Sequence, residues 1–89
     1  MTPERMRTFS KHDQMLFVGS EFERARVWQH NDQEKFHGAL ARAEELLLLI
    51  MGDPKWSADL PMLKGLQSEV KRFASGIAKE NIAILYRAL

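Results

Sequence analysis

The chain contains no cysteine, so neither a disulfide framework nor a metal site built on thiolates can form. Its five glycines are scattered singly, and no glycine-rich loop of the kind that cradles a phosphate is present. The longest apolar run, residues 46–51, is far too short to span a bilayer. The first residues are charged and lack the apolar run of a signal peptide. We therefore expect a cytoplasmic protein that does not bind a membrane.

The chain also lacks an excess of charge of either sign. It has 13 basic and 12 acidic residues, a formal net charge of +1, and no block of like charge. A basic stripe is the usual electrostatic footprint of nucleic-acid binding, so we do not expect a nucleic-acid partner. No nucleophile motif and no pairing of serine with histidine is visible, so we expect no enzyme and no cofactor.

One pair of residues has the spacing of a metal site. Glu34 and His37 form a Glu-x-x-His arrangement, which in helical bundles presents a carboxylate and an imidazole to the same ion. A di-metal site of this kind needs a second such motif, and the chain has none. We interpret the pair as the solvated start of a helix and expect no metal.

What the chain does have is a strongly apolar helical pattern between residues 36 and 51. Five residues at spacings of 4-3-4-3 lie on one helix face: Phe36, Leu40, Ala43, Leu47 and Ile50. Leu46, Leu48 and Leu49 widen this stripe until the last turns are apolar almost all round. Such a helix must be covered by other helices or by another chain. We predict that it is the central helix, with Leu47 buried and Leu48 pointing about a third of a turn away.

Start signals place two helices before the central one. Thr2 and Pro3 indicate a short first helix, and Ser10 followed by Asp13 indicates a second, from about residue 11 to 29. Whether Gly19 kinks that second helix is open at this point. Asn31 with Glu34 resembles a capping box and favours a tight turn at residues 30–33. A single helix over residues 20–51 is the alternative.

After the central helix, Asp53-Pro54 forbids continuation, and Ser57 or Asp59 is expected to cap the next helix. Its apolar face is predicted to contain Leu63, Leu66, Val70, Phe73 and Ile77. A break at Ser75-Gly76 is left open, and Ala78, Ile82, Leu85 and Leu89 continue a displaced stripe. No strand-like alternation occurs. We predict an all-α fold, an antiparallel bundle of three to four helices with short connections, forming a single domain over residues 1–89.

The candidate partner-binding residues are large apolar side chains. Trp28 and Trp56 lie near predicted connections, where the simpler interpretation is that they plug the ends of the core; the alternative is a partner contact, since Trp is enriched at binding hot spots. The excess width of the central helix adds three more candidates. The candidate set is Trp28, Leu46, Leu48, Leu49 and Trp56.

From Gly19 to about Met51 the sequence resembles the flagellin-export chaperone (FliS-type) family. The family has an Asp at a helix turn, then His, Leu, Arg and Ala at offsets of about five, eight, ten and eleven. The residues that fit are Asp32, His37, Leu40, Arg42 and Ala43. The family also has a Gly and a Phe early in the preceding helix, with a tyrosine beside the Gly. Three features depart from this pattern. Gly19 lies about one turn too close to Asp32, Phe17 or Val18 replaces the usual tyrosine, and the sequence ends where the family's final helix would continue. The resemblance implies a cytoplasmic helical chaperone that holds amphipathic segments of an export substrate in apolar grooves.

Two functions follow as hypotheses. The first is a non-catalytic interaction module that binds an amphipathic helix of another protein, as the resemblance implies. The second is a homodimeric structural or regulatory protein in which a second copy covers the widened face of the central helix.

Overall fold

The structure is a computed structural model that describes residues 1–88, with side chains described through Leu85. Four α-helices follow one another: α1 (Pro3–Arg7), α2 (Lys11–Trp28), α3 (Gln33–Met51) and α4 (Leu60–Ala74). A connecting 3-10 helix (Pro54–Asp59) joins α3 to α4, and a carboxyl-terminal 3-10 helix covers Ile82–Ala88. No strand occurs in residues 1–88. The predicted all-α bundle is confirmed.

The amino-terminal starts of the first helices are fixed by side-chain caps. The Thr2 hydroxyl accepts a hydrogen bond from the Arg5 backbone N–H at 3.2 Å. The Ser10 hydroxyl does the same for the N–H of Asp13 at 3.1 Å. Each cap satisfies an N–H group that has no partner inside the helix. Both predicted starts are therefore confirmed, and α2 runs unbroken past Gly19.

The turn between α2 and α3 exists, so the single long helix is wrong. Its cap differs from the predicted one. Asp32, not Asn31, caps α3, because its carboxylate accepts the Lys35 N–H at 3.1 Å. The Asn31 side chain instead donates to the Val27 carbonyl at 2.8 Å and caps the end of α2. The short turn makes α2 and α3 an antiparallel pair.

The end of α4 is set by Gly76. Its φ of +81° is the left-handed conformation that favours glycine. The N–H of Gly76 donates to the Phe73 carbonyl at 3.2 Å, and that of Ile77 donates to the Arg72 carbonyl at 3.0 Å. This paired pattern is the Schellman ending of a helix. The open question at Ser75-Gly76 is thus answered by a stop.

The stop overturns one predicted position and confirms others. Ile77 was expected on the buried face of α4, but the helix has already ended and Ile77 is 70% exposed. Ala78, Ile82 and Leu85 are buried as the displaced stripe predicted, although Ile82 and Leu85 lie on a 3-10 helix. Leu89 lies outside the described residues.

The centre of the bundle is α3, as predicted. It packs against α2, α4, α1 and the connecting 3-10 helix, while the carboxyl-terminal 3-10 helix lies against α2 and α4. All five residues of the predicted stripe are buried: Phe36, Leu40, Ala43, Leu47 and Ile50. Leu47 is fully buried whereas Leu48 is 58% exposed, which confirms the expected contrast. None of the helices in the described residues is long and apolar enough to cross a membrane.

Candidate functional site

The structure separates the five predicted partner-binding residues instead of joining them into one surface. Trp28 ends α2, while Trp56 contacts Gln14 near the start of the same helix, so the two tryptophans lie at opposite ends of the bundle. Leu46 and Leu49 are half-buried against the core. Leu48 is the most exposed of the five and lies on the outer face of α3. Because the two tryptophans lie at opposite ends, the five residues do not form a single site.

Trp56 belongs to a buried polar network at the end where α1, α2 and the connecting 3-10 helix meet. Gln14 is fully buried, and its Nε2 donates to the Met6 carbonyl at 2.8 Å and to Asp53 Oδ2 at 3.0 Å. Its Oε1 accepts the indole N–H of Trp56. Only 5% of Trp56 is exposed, which leaves little of it for a partner. The burial of Trp56 fits the interpretation that this side chain closes the end of the core.

Asp53 is the charged member of that network. Its carboxylate accepts the Lys55 backbone N–H at 3.0 Å and lies 3.1 Å from Lys55 Nζ. The hydrogen bond from Gln14, followed by that from the Lys55 N–H, lowers the pKa of Asp53 from 3.8 to about 2, while burial opposes the shift. Asp53 also caps the connecting 3-10 helix. Its charge therefore organises the connection, and its donors leave little capacity for a ligand.

A surface ion pair covers this end of the bundle. Lys11 Nζ lies 2.6 Å from Asp59 Oδ2 and 4.6 Å from the centroid of the Trp56 ring. Asp59 stands at the predicted cap position of α4, but its side chain makes no cap bond there. Ser57 does not cap α4 either. The predicted cap is thus replaced by a contact between α2 and the connecting 3-10 helix.

Trp28 has a different environment. It is half-buried, and Lys35 Nζ lies 4.2 Å from its ring centroid, within cation–π distance. A cleft of about 510 Å³ lies beside the pair, with Asp32, Glu34 and Arg42 also in its wall. Charges of both signs line this cleft, so it has no clear preference for an anion or a cation.

Glu21 is a buried carboxylate that the sequence did not single out. It accepts hydrogen bonds from Arg24 on its own helix and from Arg42 Nε on α3, the latter at 2.9 Å. With two guanidinium partners its charge is compensated, as a buried charge requires. Arg42, one of the residues that carries the family resemblance, thus links α3 to α2.

Both ring nitrogens of His37 face backbone carbonyls. His37 Nδ1 lies 2.8 Å from the Gln33 carbonyl, and Nε2 lies 3.1 Å from the Ala74 carbonyl at the end of α4. The imidazole therefore joins α3 to α4. Across the part of the chain that the structure describes, no three His, Asp or Glu side chains lie close enough together to hold a metal ion.

An apolar cleft along α2 is the feature that sequence reasoning missed. Its volume is about 580 Å³, and residues one and two turns apart line it: His12, Met15, Leu16, Gly19, Ser20, Glu23 and Arg24. Leu16 is 54% exposed although it lies within the run Met15-Leu16-Phe17-Val18. That run of four consecutive apolar residues was the available signal, because successive residues of a helix point in different directions and cannot all face the core.

Comparison of the sequence and the structure with family models, curated proteins and solved structures returned no match. The similarity to flagellin-export chaperones therefore stays a prediction from the residues named above.

Proposed function

We propose that this chain is a non-catalytic protein-interaction module that holds an amphipathic helix of another protein in the cleft along α2. The observation that carries the proposal is the cleft itself, with Leu16 half exposed at its edge. All the lining residues lie on α2, so the cleft is shallow and open, of the kind against which a partner helix can pack, and is not an enclosed ligand pocket. The proposal places the module in the cytoplasm, acting as a chaperone-like binder.

The chemistry of the cleft favours an amphipathic helix over a uniformly apolar ligand. Met15 and Leu16 supply the apolar part, His12 supplies a polar group at one end, and Glu23 and Arg24 supply charged groups about three turns further along α2. A helix that lays an apolar stripe against such a surface keeps its own charged residues next to the polar groups. The resemblance to flagellin-export chaperones supports the same mode of binding and suggests an export substrate as the partner.

Leu48 favours a second candidate function, a homodimer. It is exposed on the outer face of the most apolar helix, and a two-fold contact would bring the same residue of two chains together. Sedimentation at micromolar concentration tests this candidate. A concentration-dependent dimer that Leu48→Glu dissociates supports it, and a monomer at every concentration contradicts it.

The interaction module is tested by titration with a synthetic peptide of the flagellin carboxyl-terminal helix, followed by fluorescence anisotropy of a dye on the peptide. Leu16→Glu puts a charge into the cleft and should weaken binding at least about tenfold, the loss expected when a hot-spot residue is changed. Met62→Glu is the matched control, because it adds the same charge to an exposed apolar side chain on α4, away from the cleft and from Leu48.

Equal weakening by both variants would show that charge, not the cleft, governs binding. If the peptide does not bind the wild-type chain and native host extracts yield no partner that Leu16→Glu releases, the interaction module is wrong.

A further inference from the structure

The carboxyl-terminal segment, residues 77–85, lies on the bundle in the manner of a bound ligand. Its buried side chains are Ala78, in the irregular connection, and Ile82 and Leu85, which lie three positions apart on one face of the 3-10 helix. The 3-10 helix that contains Ile82 and Leu85 lies against both α2 and α4. The segment therefore shows which apolar pattern the groove between these two helices accepts.

Gln29, at the end of α2, holds this segment through its backbone. Gln29 Nε2 donates to the Glu80 carbonyl at 2.7 Å, and Gln29 Oε1 accepts the Ile82 N–H at 2.7 Å. The glutamine is only 6% exposed and its bond to the Ile82 N–H is buried, whereas Glu80 itself is exposed. Because both bonds go to main-chain atoms, they do not depend on which side chains the segment carries.

The connection between α4 and the carboxyl-terminal 3-10 helix is largely exposed. Gly76 adopts a left-handed conformation, and Ile77, Lys79 and Glu80 lie in solvent. Ala78 is the only buried side chain between residues 76 and 81, so displacing the segment costs chiefly the burial of Ile82 and Leu85. Segments with little burial and exposed backbone open at a lower free energy than the core of a protein.

We propose that the groove between α2 and α4 is a binding site for an amphipathic helical segment of a partner protein, and that residues 77–85 fill it until the partner displaces them. The inference rests on the proposed function. It adds a second contact of the partner with α2, in the groove, and it makes residues 77–85 the competitor for that contact. α2 is 18 residues long. A partner that occupied both the cleft and the vacated groove would follow about 27 Å of helix, or about five turns.

The test weakens the binding of residues 77–85 to the groove by a substitution in the full chain. The same segment is then added as a separate peptide. Ile82→Asp places a charge at a fully buried position and should empty the groove. The probe is a synthetic peptide of residues 76–89 of this chain. It should bind Ile82→Asp at micromolar concentration but should not bind the wild-type chain below about 1 mM, because a tethered segment competes at an effective millimolar concentration.

Two matched variants accompany this experiment. Ile84→Asp adds the same charge two residues further on, where the side chain is 47% exposed, and should leave the groove filled and the probe unbound. Gln29→Ala, added to Ile82→Asp, should weaken probe binding about tenfold, since two hydrogen bonds to the probe backbone are lost. Absence of probe binding to a folded Ile82→Asp chain, or tight binding to the wild type, would overturn the proposal.

Hydrogen exchange on the wild-type chain supplies a readout that needs no variant and decides the question if Ile82→Asp fails to fold. When the flagellin peptide is added, the amide of Ile82 should lose protection while α3 stays protected. If that peptide binds and the Ile82 amide stays protected, displacement is wrong but the interaction module stands. If the flagellin peptide does not bind while the probe binds Ile82→Asp, the groove stands and the proposed flagellin-type partner is wrong.

Discussion

At the end of the bundle where α1 meets the connecting 3-10 helix, Gln14 joins Asp53 and Trp56 in a buried network. At the opposite end, Gln29 holds the carboxyl-terminal segment by two backbone contacts. Both ends use a buried glutamine from α2 as the organising side chain. The first glutamine binds a charged carboxylate and an indole, and the second binds only neutral main-chain groups.

The difference decides which end opens more readily. Disrupting the first end leaves a carboxylate and an indole N–H without their partner in a dry site, which is costly. Disrupting the second end frees only neutral groups, the N–H of buried Ile82 and the carbonyl of exposed Glu80, and water can replace the lost partner of the carbonyl. We therefore expect the Asp53 end to be the rigid closure of the bundle and the Gln29 end to be the one that exchanges partners.

The largest expected loss of stability comes from the core between the two ends, and the losses at each end can be compared with it. Leu47→Ala removes a fully buried side chain and should lower the free energy of unfolding by about 2–5 kcal/mol. Leu48→Ala, one residue on but 58% exposed, should change it by less than about 0.5 kcal/mol. Urea denaturation of both variants makes the comparison. Equal losses would show that α3 is enclosed on all sides in solution.

At the Asp53 end, Gln14→Ala removes three hydrogen bonds at once, to Met6, Asp53 and Trp56. Because these groups stay buried without a partner, the free energy of unfolding should fall by about 2–3 kcal/mol. The same denaturation experiment measures it, with Gln67→Ala, a half-buried glutamine on α4, as the control. A loss no larger than that of the control would remove the case for a rigid closure here.

At the opposite end, Gln29→Ala should cost less, about 1 kcal/mol, since water reaches the freed carbonyl of Glu80. Its effect should also be local. Amide exchange of Ile82 should accelerate about fivefold, the factor that corresponds to about 1 kcal/mol, while amides around Gln14 keep their rates. Uniform acceleration throughout the chain would mean that the carboxyl-terminal segment unfolds only together with the bundle.

The sequence predicts what depends on neighbours along the chain. The caps at Thr2 and Ser10 and the buried stripe of α3 follow from residues three or four positions apart, and they are confirmed. The error at Ile77 has a local cause as well. Apolar spacing favours continuation of α4, but the left-handed Gly76 ends it, and periodicity alone does not weigh one against the other.

The contacts of Gln14 and Gln29 cannot be predicted from neighbouring residues. Gln14 meets Asp53 across 39 positions of sequence, and Gln29 meets Ile82 across 53. A glutamine on an amphipathic helix normally indicates a solvated face, and nothing nearby in the sequence marks these two as buried. The burial of Trp56 is hidden for the same reason, since its partner Gln14 lies on another element.

The smallest expected effect is a loss of stability at acidic pH. It arises only at the end that contains the charged carboxylate of Asp53. The pKa of Asp53 is lowered from 3.8 to about 2, chiefly by the hydrogen bond from Gln14. Since the value in the folded chain is below the ordinary one, the charged carboxylate stabilises the fold above pH 3.8, and this contribution is lost as the pH falls towards 2. Asp53→Asn keeps an acceptor but removes the charge, so its stability should fall less steeply than that of the wild type over this interval. Gln29→Ala, which leaves the carboxylate intact, should keep the wild-type slope. Thermal melts at half-unit pH steps measure all three chains, and parallel curves for wild type and Asp53→Asn would show that the charge at this end does not contribute to its closure.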